Sequence, residues 1–351
     1  METMKLIDTK DAVGQVLCQD ITEIVKGVTK GPVFKKGHIV TEADIPVLLR
    51  VGKEHLYVWE KQVGILHENE AAEILRSICQ GSDKTGGHMH ASLPSEGKIE
   101  LTADCDGLFK VNSAALYAVN SYGQMMIASR HGNTPVRAGD KLCGTRIIPL
   151  VIEEEKMKDV REKAMKVTGG MPVVSLLPFR KKKYAVIATG SEVAKGRIKD
   201  TFTPVILKKL AAYDGELIGT DVCGDESEVL TEKINAFLKK GAELVLCTGG
   251  MSVDPDDRTP LAIKNTGARV VSYGAPVLPG AMFMLAYTAD GRAIMGLPGC
   301  VMYAKRTIFD LVLPRIMADD EIKKEELWAL GEGGLCLGCD VCTWPNCGFG
   351  K

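Results

Sequence analysis

The stretch YAVIATGSEVAKGRIKDTFTPVILKKLAAYDGELIGT, residues 184–220, decides the fold. Tyr184–Ala188 is a short apolar run of strand length, closed by a glycine loop. Asp200–Tyr213 then sets Phe202, Val205, Ile206 and Leu210 on one face of a helix. Glu216–Thr220 reads as the next strand. Outward from there the alternation continues. A helix over Ser227–Lys240 turns Leu230, Ile234, Phe237 and Leu238 inward, and Glu243–Thr248 is a strand. A short helix at Thr259–Thr266, a strand at Arg269–Tyr273, a short helix at Ala281–Tyr287, a strand at Ala293–Met295 and a long helix at Val301–Met317 follow. Strands alternating with helices at this spacing predict an α/β domain over 183–318, a mostly parallel sheet with helices on both faces. Such sheets bind ligands beyond the carboxyl ends of their strands.

Upstream, residues 1–182 read as a β-rich α+β region, divisible into lobes 1–63 and 64–182. Residues 64–80 have helical spacing, 81–97 are polar and Gly/Ser-rich, 98–152 are strand-like, and 153–166 form a charged, helix-prone connector. Arg180–Lys183 is a basic run, read as a solvated flank or as an electrostatic lure for an anion.

Of 351 residues, 44 are Lys or Arg and 45 Asp or Glu, a formal net charge of -1. That balance argues against a dedicated nucleic-acid binder, which needs a basic field. Aromatics at 5% argue against base-stacking platforms. The opening METMKLIDTKDAVG lacks the apolar core of a secretory signal, and no apolar run reaches the roughly 18 residues of a membrane span. The expectation is a cytoplasmic protein without a membrane partner.

Four loops after the strands carry the chemistry. The first is Thr189-Gly190-Ser191-Glu192, followed by Gly196 and Asp200. The second runs Thr248-Gly249-Gly250-Met251-Ser252-Val253-Asp254-Pro255-Asp256-Asp257-Arg258-Thr259-Pro260. The third is Gly274–Gly280 and the fourth Gly296-Leu297-Pro298-Gly299. Glycines let a backbone approach an anion closely, and N–H groups at helix starts bind phosphate. Asp254, Asp256 and Asp257 are oxygen ligands for a hard cation such as Mg²⁺, which bridges carboxylates to phosphates. The plainer alternative is that Gly and Pro punctuate turns while aspartates cap helices.

These motifs, in this order over residues 184–318, resemble the molybdenum-cofactor biosynthesis domain of molybdopterin molybdotransferases, molybdopterin adenylyltransferases and gephyrin-like proteins. The likeness runs through Thr189-Gly190-x-Glu192, Asp200, Asp225, the Thr-Gly-Gly loop with Asp257-x-Thr259-Pro260, Gly274-x-Pro276 and Gly296–Gly299. Residues 11–60 also look like the start of a molybdotransferase. The resemblance implies that Thr248, Gly249, Gly250 and Ser252 hold the terminal phosphate of molybdopterin or its adenylylated form. It implies catalytic roles for Asp257, Asp225 and Glu192, with Asp257 on Mg²⁺. Thr189, Gly190, Ser191, Asp200, Asp254, Thr259, Pro260, Gly296, Pro298 and Gly299 would complete the pterin site.

The implied function is insertion of molybdate or tungstate into the pterin; the alternative is a non-catalytic carrier, sensor or molybdoenzyme maturation factor. A homodimer is also implied. The chain departs from the molybdotransferase pattern at Ser191, where an Asp is usual. It departs again at Cys300-Val301, where Asn-Pro is usual. About 33 residues follow Ala318, where those transferases carry a C-terminal β domain.

Eleven cysteines include four crowded into CLGCDVCTWPNC: Cys336, Cys339, Cys342 and Cys347, in residues 319–351. The Cys-x2-Cys-x2-Cys core is the spacing of bacterial ferredoxin loops. Structural zinc sites more often use two separated Cys-x2-Cys knuckles. An iron–sulfur cluster, zinc and a loose thiol-rich tail all stay open at this point. His88 and His90, in the Gly-rich loop, are a second metal-ligand candidate beside the plainer reading of exposed histidines.

Overall fold

A computed structural model describes residues 4–25, 29–59, 63–81, 87–252 and 257–351. The chain divides into two compact units interleaved in sequence. The first comprises residues 1–102, 112–129 and 141–174; the second comprises 103–111, 130–140 and 175–351.

The first unit is built from antiparallel pairs. Met4–Asp8 pairs with His55–Trp59, and Ile21–Val25 with Thr29–Phe34, around a core of Ala12, Leu17, Ile21, Val40, Leu48 and Leu56. A four-stranded sheet orders Met89–Ala91, Lys98–Ala103, Lys141–Ile147 and Met125–Ser129, accompanied by helices Glu68–Gln80, Ser113–Asn120 and Glu154–Thr168. The helix at Ser113–Asn120 departs from the strand-like reading of 98–152. Asn112 sets it: its Oδ1 accepts the Ala115 N–H at 3.0 Å, a cap that starts a helix where the apolar pattern alone is ambiguous. Within 81–97, Met89 is buried in a strand, while His88 and His90 are exposed. Residues 82–86 lie outside the described residues.

The second unit holds the six-stranded sheet. Its strands in chain order are β1 (Lys183–Thr189), β2 (Glu216–Cys223), β3 (Leu244–Thr248), β4 (Arg269–Tyr273), β5 (Met284–Tyr287) and β6 (Ala293–Leu297), in spatial order β2-β1-β3-β6-β5-β4. The β2–β1, β1–β3 and β3–β6 ladders are parallel, and the β6–β5 and β5–β4 ladders are antiparallel. Only β5 therefore runs against the rest, and the sheet is mostly parallel, as the alternating pattern predicts.

The helices are α1 (Phe202–Leu210), α2 (Ser227–Lys239), α3 (Thr259–Asn265) and α4 (Ile308–Met317). Alternation along the central strands explains why both faces are covered. Val186, Leu244 and Leu246 join one core with Ile206 and Leu210 of α1 and Phe309 of α4. Ala185, Ile187, Val245 and Cys247 join the other with Leu230 and Ile234 of α2 and Ile263 of α3. Successive side chains in a strand point to opposite faces, so a continuous apolar run is what a doubly covered sheet needs.

Two expectations over 183–318 are corrected. Ala281–Tyr287 does not form a helix; Met284–Tyr287 is the strand β5, wholly buried, with Met284 opposite both Tyr273 and Gly296. A run of four buried apolar residues has no period that separates strand from helix. Val301–Met317 is not one helix either. A 3₁₀ turn at Gly299–Met302 ends before Thr307, whose Oγ1 accepts the Phe309 N–H at 3.2 Å and starts α4. The Asp310 carboxylate closes this capping box on the Thr307 N–H at 2.9 Å.

The basic run is not simply a solvated flank. Lys182 is buried and pairs with Asp319 and, at 3.8 Å, with Glu243.

Candidate functional site

Five strands of the second unit run in one direction, so the loops after β1, β3, β4 and β6 leave the same edge of the sheet. The loop after β3 is held by three threonines. Thr189 Oγ1 donates to the Thr248 carbonyl at 2.9 Å and lies 3.3 Å from Thr259 Oγ1. Thr259 Oγ1 in turn donates to the Gly249 carbonyl at 2.9 Å, and its N–H donates to the Gly250 carbonyl at 3.1 Å. Thr248 is fully buried, and its Oγ1 has no partner among the described residues.

The two glycines are required there. Gly249 has φ +86°, and a Cβ would stand 2.5 Å from the Thr189 carbonyl oxygen; Gly250 has φ +58°, and a Cβ would stand 2.6 Å from Thr259 Oγ1. The consequence is a tight loop whose carbonyls are engaged inward. Gly249 and Gly250 are successive left-handed residues, and successive N–H groups in such a turn form a concavity for an anion.

Around that loop, Asp257 Oδ2 accepts the Ser252 N–H at 2.8 Å. Asp254 and Asp256, with Val253 and Pro255, lie outside the described residues. Pro260 is buried as the second residue of α3, where a missing N–H leaves no helical bond unmade. Gly296 sits inside β6 beneath Met251, whose sulfur a Cβ would meet at 2.4 Å. Pro298 is buried, and Gly299 is exposed with open space about it. Tyr273 Oη donates to the Met251 carbonyl at 3.1 Å, a support that no sequence motif announces.

The loop after β1 uses its donors differently. Gly190 N–H donates to the Cys223 carbonyl, and Ser191 donates to Asp225 Oδ2 from its N–H at 3.1 Å and its hydroxyl at 2.6 Å. Glu192 is exposed in the turn Ser191–Ala194. Asp200 Oδ1 accepts the N–H groups of Phe202 and Thr203 at 2.9 and 3.0 Å, so this residue starts α1. The loop after β4 is also fully engaged: the N–H groups of Gly274, Ala275, Val277 and Leu278 all find carbonyls. The Leu278 N–H donates to Gly334, and the Cys336 N–H donates back to Leu278, each at 2.8 Å. This loop is the rail on which the cysteine segment docks.

The four tail cysteines are free thiols that line one cavity of about 370 Å³. Lys305 and Arg306 stand beside them. Lys305 Nζ donates to the carbonyls of Cys339 and Asp340, and Arg306 hydrogen-bonds the Cys342 sulfur and Asp310. Burial alone would push the Cys342 thiol up. The Arg306 hydrogen bond, the Trp344 N–H and the charges of Arg306 and Lys305 outweigh it and hold the thiol below its usual range. By contrast, burial pushes the core thiol of Cys223 up to about 11. A second cavity, of about 820 Å³, shares Lys305, Arg306, Cys342 and Trp344 and adds Arg130 and Arg137; none of its lining residues belongs to the Thr-Gly-Gly loop.

No helix among the described residues is long and apolar enough to cross a membrane.

Fold and loops together define a mostly parallel α/β domain with glycine-rich loops at the carboxyl edge of its sheet. Residues 185–318 match the family described as "Probable molybdopterin binding domain", and this segment is a domain of the molybdenum-cofactor biosynthesis family. Residues 6–60 match a family described only as a domain of unknown function (DUF8806).

The chain is 33% identical over 168 residues to a molybdopterin molybdenumtransferase of Staphylococcus epidermidis, covering 43% of this chain and 39% of that protein. It is 24% identical over 169 residues to the molybdopterin molybdenumtransferase of Synechococcus elongatus, covering 46% and 41%. A CinA-like protein of Thermosipho melanesiensis is 38% identical over 85 residues, 24% of this chain and 21% of that protein. The chain thus spans at most 41% of the length of these relatives. Among solved structures, the tungsten cofactor synthesizing protein MoaB from Pyrococcus furiosus is similar at 20% identity, with a TM-score of 0.33 over 39% of this chain and 93% of that one.

Proposed function

We propose that this chain binds molybdopterin, bare or adenylylated, through its phosphate at the Thr248–Ser252 loop, and works in molybdenum-cofactor biosynthesis. The observation that carries the reading is the tight left-handed turn at Gly249 and Gly250, whose carbonyls are engaged inward and which Thr189 and Thr259 hold rigid. A phosphate oxygen is the acceptor such a nest suits. Asp257, fixed on the Ser252 N–H, is the carboxylate that would hold Mg²⁺. When bound, that ion would neutralise phosphate charge.

Two readings of turnover follow. In the first, the chain is a transferase. Water attacks the phosphoanhydride of adenylylated molybdopterin, AMP leaves and the pterin keeps its terminal phosphate, while the two pterin thiols replace an oxide of molybdate or tungstate, which departs as water. Asp257 positions the phosphate, with Asp225 and Glu192 near the transferred group. In the second, the chain carries or senses the pterin, or passes it to a molybdoenzyme. A specific observation favours the second: Asp225 is satisfied by Ser191, and Asp200 is occupied in starting α1.

The test is to incubate the protein with adenylylated molybdopterin, Mg²⁺ and molybdate, and to measure AMP released and pterin retained. Retained pterin without AMP supports the carrier; AMP release lost in Asp257→Asn supports the transferase. Absence of both pterin retention and AMP release would overturn the assignment. The homodimer implied by the family likeness is checked by light scattering.

A further inference from the structure

The four tail cysteines are not accounted for by pterin binding, and they do not lie in a loose tail. Leu335 bridges to Leu278 as a parallel strand pair, and the Gly350 N–H donates to the Gly333 carbonyl, closing the segment on itself. Phe349 is buried at 4% exposure in the α4-side core, with Cys336, Cys347 and Trp344 packed against it. Side chains could not replace the glycines at these closures: a Cβ on Gly333 would fall 2.0 Å from the Lys351 carbonyl oxygen, and one on Gly334 would fall 2.4 Å from the Pro276 and Leu330 carbonyl oxygens. This is a built structure, and what it builds is a cavity of about 370 Å³ into which Cys336, Cys339, Cys342 and Cys347 all face.

We propose that this cavity holds a four-iron iron–sulfur cluster ligated by Cys336, Cys339, Cys342 and Cys347, at the same edge of the sheet as the phosphate nest. Three observations select a cluster over one zinc ion. First, the Cys-x2-Cys-x2-Cys core is the spacing that wraps a cluster in ferredoxin loops. Second, a lone zinc draws its sulfurs to about 2.3 Å from a single point, whereas the four cysteines line a cavity of about 370 Å³, a space with room for a polynuclear core.

Third, the charge is right. Four thiolates around a cluster leave a net negative charge. Two cations meet it: Lys305, tied to the carbonyls of Cys339 and Asp340, and Arg306, stacked 4.5 Å from the centre of the Trp344 ring. Arg306 is itself held by Asp310 at 2.9 Å, and its Nε has no partner among the described residues. Hydrogen bonds and charge next to cluster sulfurs set the reduction potential, so Arg306 is a positioning and tuning residue.

The test uses the full chain, purified without oxygen and reconstituted with ferrous iron and sulfide under reducing conditions. No pterin is added, so the result is independent of the proposed function. The expected result is roughly four irons and four acid-labile sulfides per chain, with broad visible absorption that bleaches on dithionite and an electron-paramagnetic signal in the reduced state. Cys339→Ser and Cys342→Ser should each lower bound iron severalfold, while Cys105→Ser leaves it unchanged; circular dichroism establishes that each variant is folded. Arg306→Gln should retain iron and shift the potential downward, a change that a merely structural arginine would not produce. Stoichiometric zinc that iron and sulfide do not displace would overturn the proposal. So would a chain that binds neither metal after reconstitution, or iron equally well in folded Cys339→Ser and Cys342→Ser.

Discussion

The loops after β3 and β4 leave the same edge of one sheet, and both are rich in glycine. Their hydrogen bonds separate them. After β3, threonine hydroxyls and the Thr259 N–H take up the carbonyls of Thr248, Gly249 and Gly250, so it is the N–H side of the left-handed turn that we propose for a ligand. After β4, the N–H groups of Gly274, Ala275, Val277 and Leu278 are all used, the last of them to hold the cysteine segment. Glycine content shows where a backbone turns sharply. Whether the turn can receive an anion depends on where its donors go, since buried backbone groups are nearly always paired.

The largest expected effect tests the β4 side of this contrast. Phe349→Ala removes a buried aromatic anchor of the cysteine segment, and such truncations cost about 3–5 kcal/mol. Chemical denaturation should report a loss of that order, together with loss of bound iron. Pterin retention by the population that remains folded should be unchanged. A stability loss under about 1 kcal/mol would mean that the segment is not part of the core.

Next comes a crossed pair. Gly249→Ala forces a left-handed alanine against the Thr189 carbonyl, a strain of roughly 1–3 kcal/mol. Pterin affinity should fall about tenfold or more, with iron content intact. Gly334→Ala clashes with the Pro276 and Leu330 carbonyls, and should lower iron content while leaving pterin affinity alone. If both variants damage both ligands equally, the two loops are not independent sites. A smaller change, Thr259→Val, removes the hydroxyl that fixes Gly249. It should cost about 1–2 kcal/mol of stability, with a severalfold weaker pterin affinity in equilibrium binding.

Much of this architecture is legible in the sequence. The strands Tyr184–Ala188 and Glu243–Thr248 fall in place because a sheet covered on both faces demands unbroken apolar runs. The same feature hides β5: Met284–Tyr287 is equally apolar and too short to show a period. The break at Thr307 lies in the capping box Thr307-x-x-Asp310, a signal carried by two side chains rather than by hydrophobicity. The insertion of 103–111 and 130–140 into the second unit has no signature in composition. At the edge, motif spacing indicates Gly249, Gly250 and Asp257, but it cannot tell that Asp200 starts a helix or that Leu278 carries the tail. Those facts depend on partners 2 to 58 residues away, or on carbonyls that have no sequence identity.

The smallest effect sharpens the contrast within the pterin edge itself. Ser191 donates its hydroxyl and its N–H to Asp225 Oδ2, at 2.6 and 3.1 Å, where molybdotransferase-like sequences usually carry Asp. A hydroxyl neutralises nothing but satisfies the carboxylate, so the loop is stable without a cation. Ser191→Asp would replace that donor with a second carboxylate a few ångströms from the first. Like charges so placed raise a carboxyl pKa or require a bridging cation. The variant should therefore be less stable than the parent by about 1 kcal/mol at neutral pH and low salt. It should regain that stability on adding Mg²⁺ or on acidification, since the raised pKa makes the neutral carboxyl available as pH falls. The parent should respond to Mg²⁺ only when pterin is present. Thermal melts with and without Mg²⁺ read this directly. An unchanged Mg²⁺ response in Ser191→Asp would mean that Asp225 does not face the position an Asp would occupy.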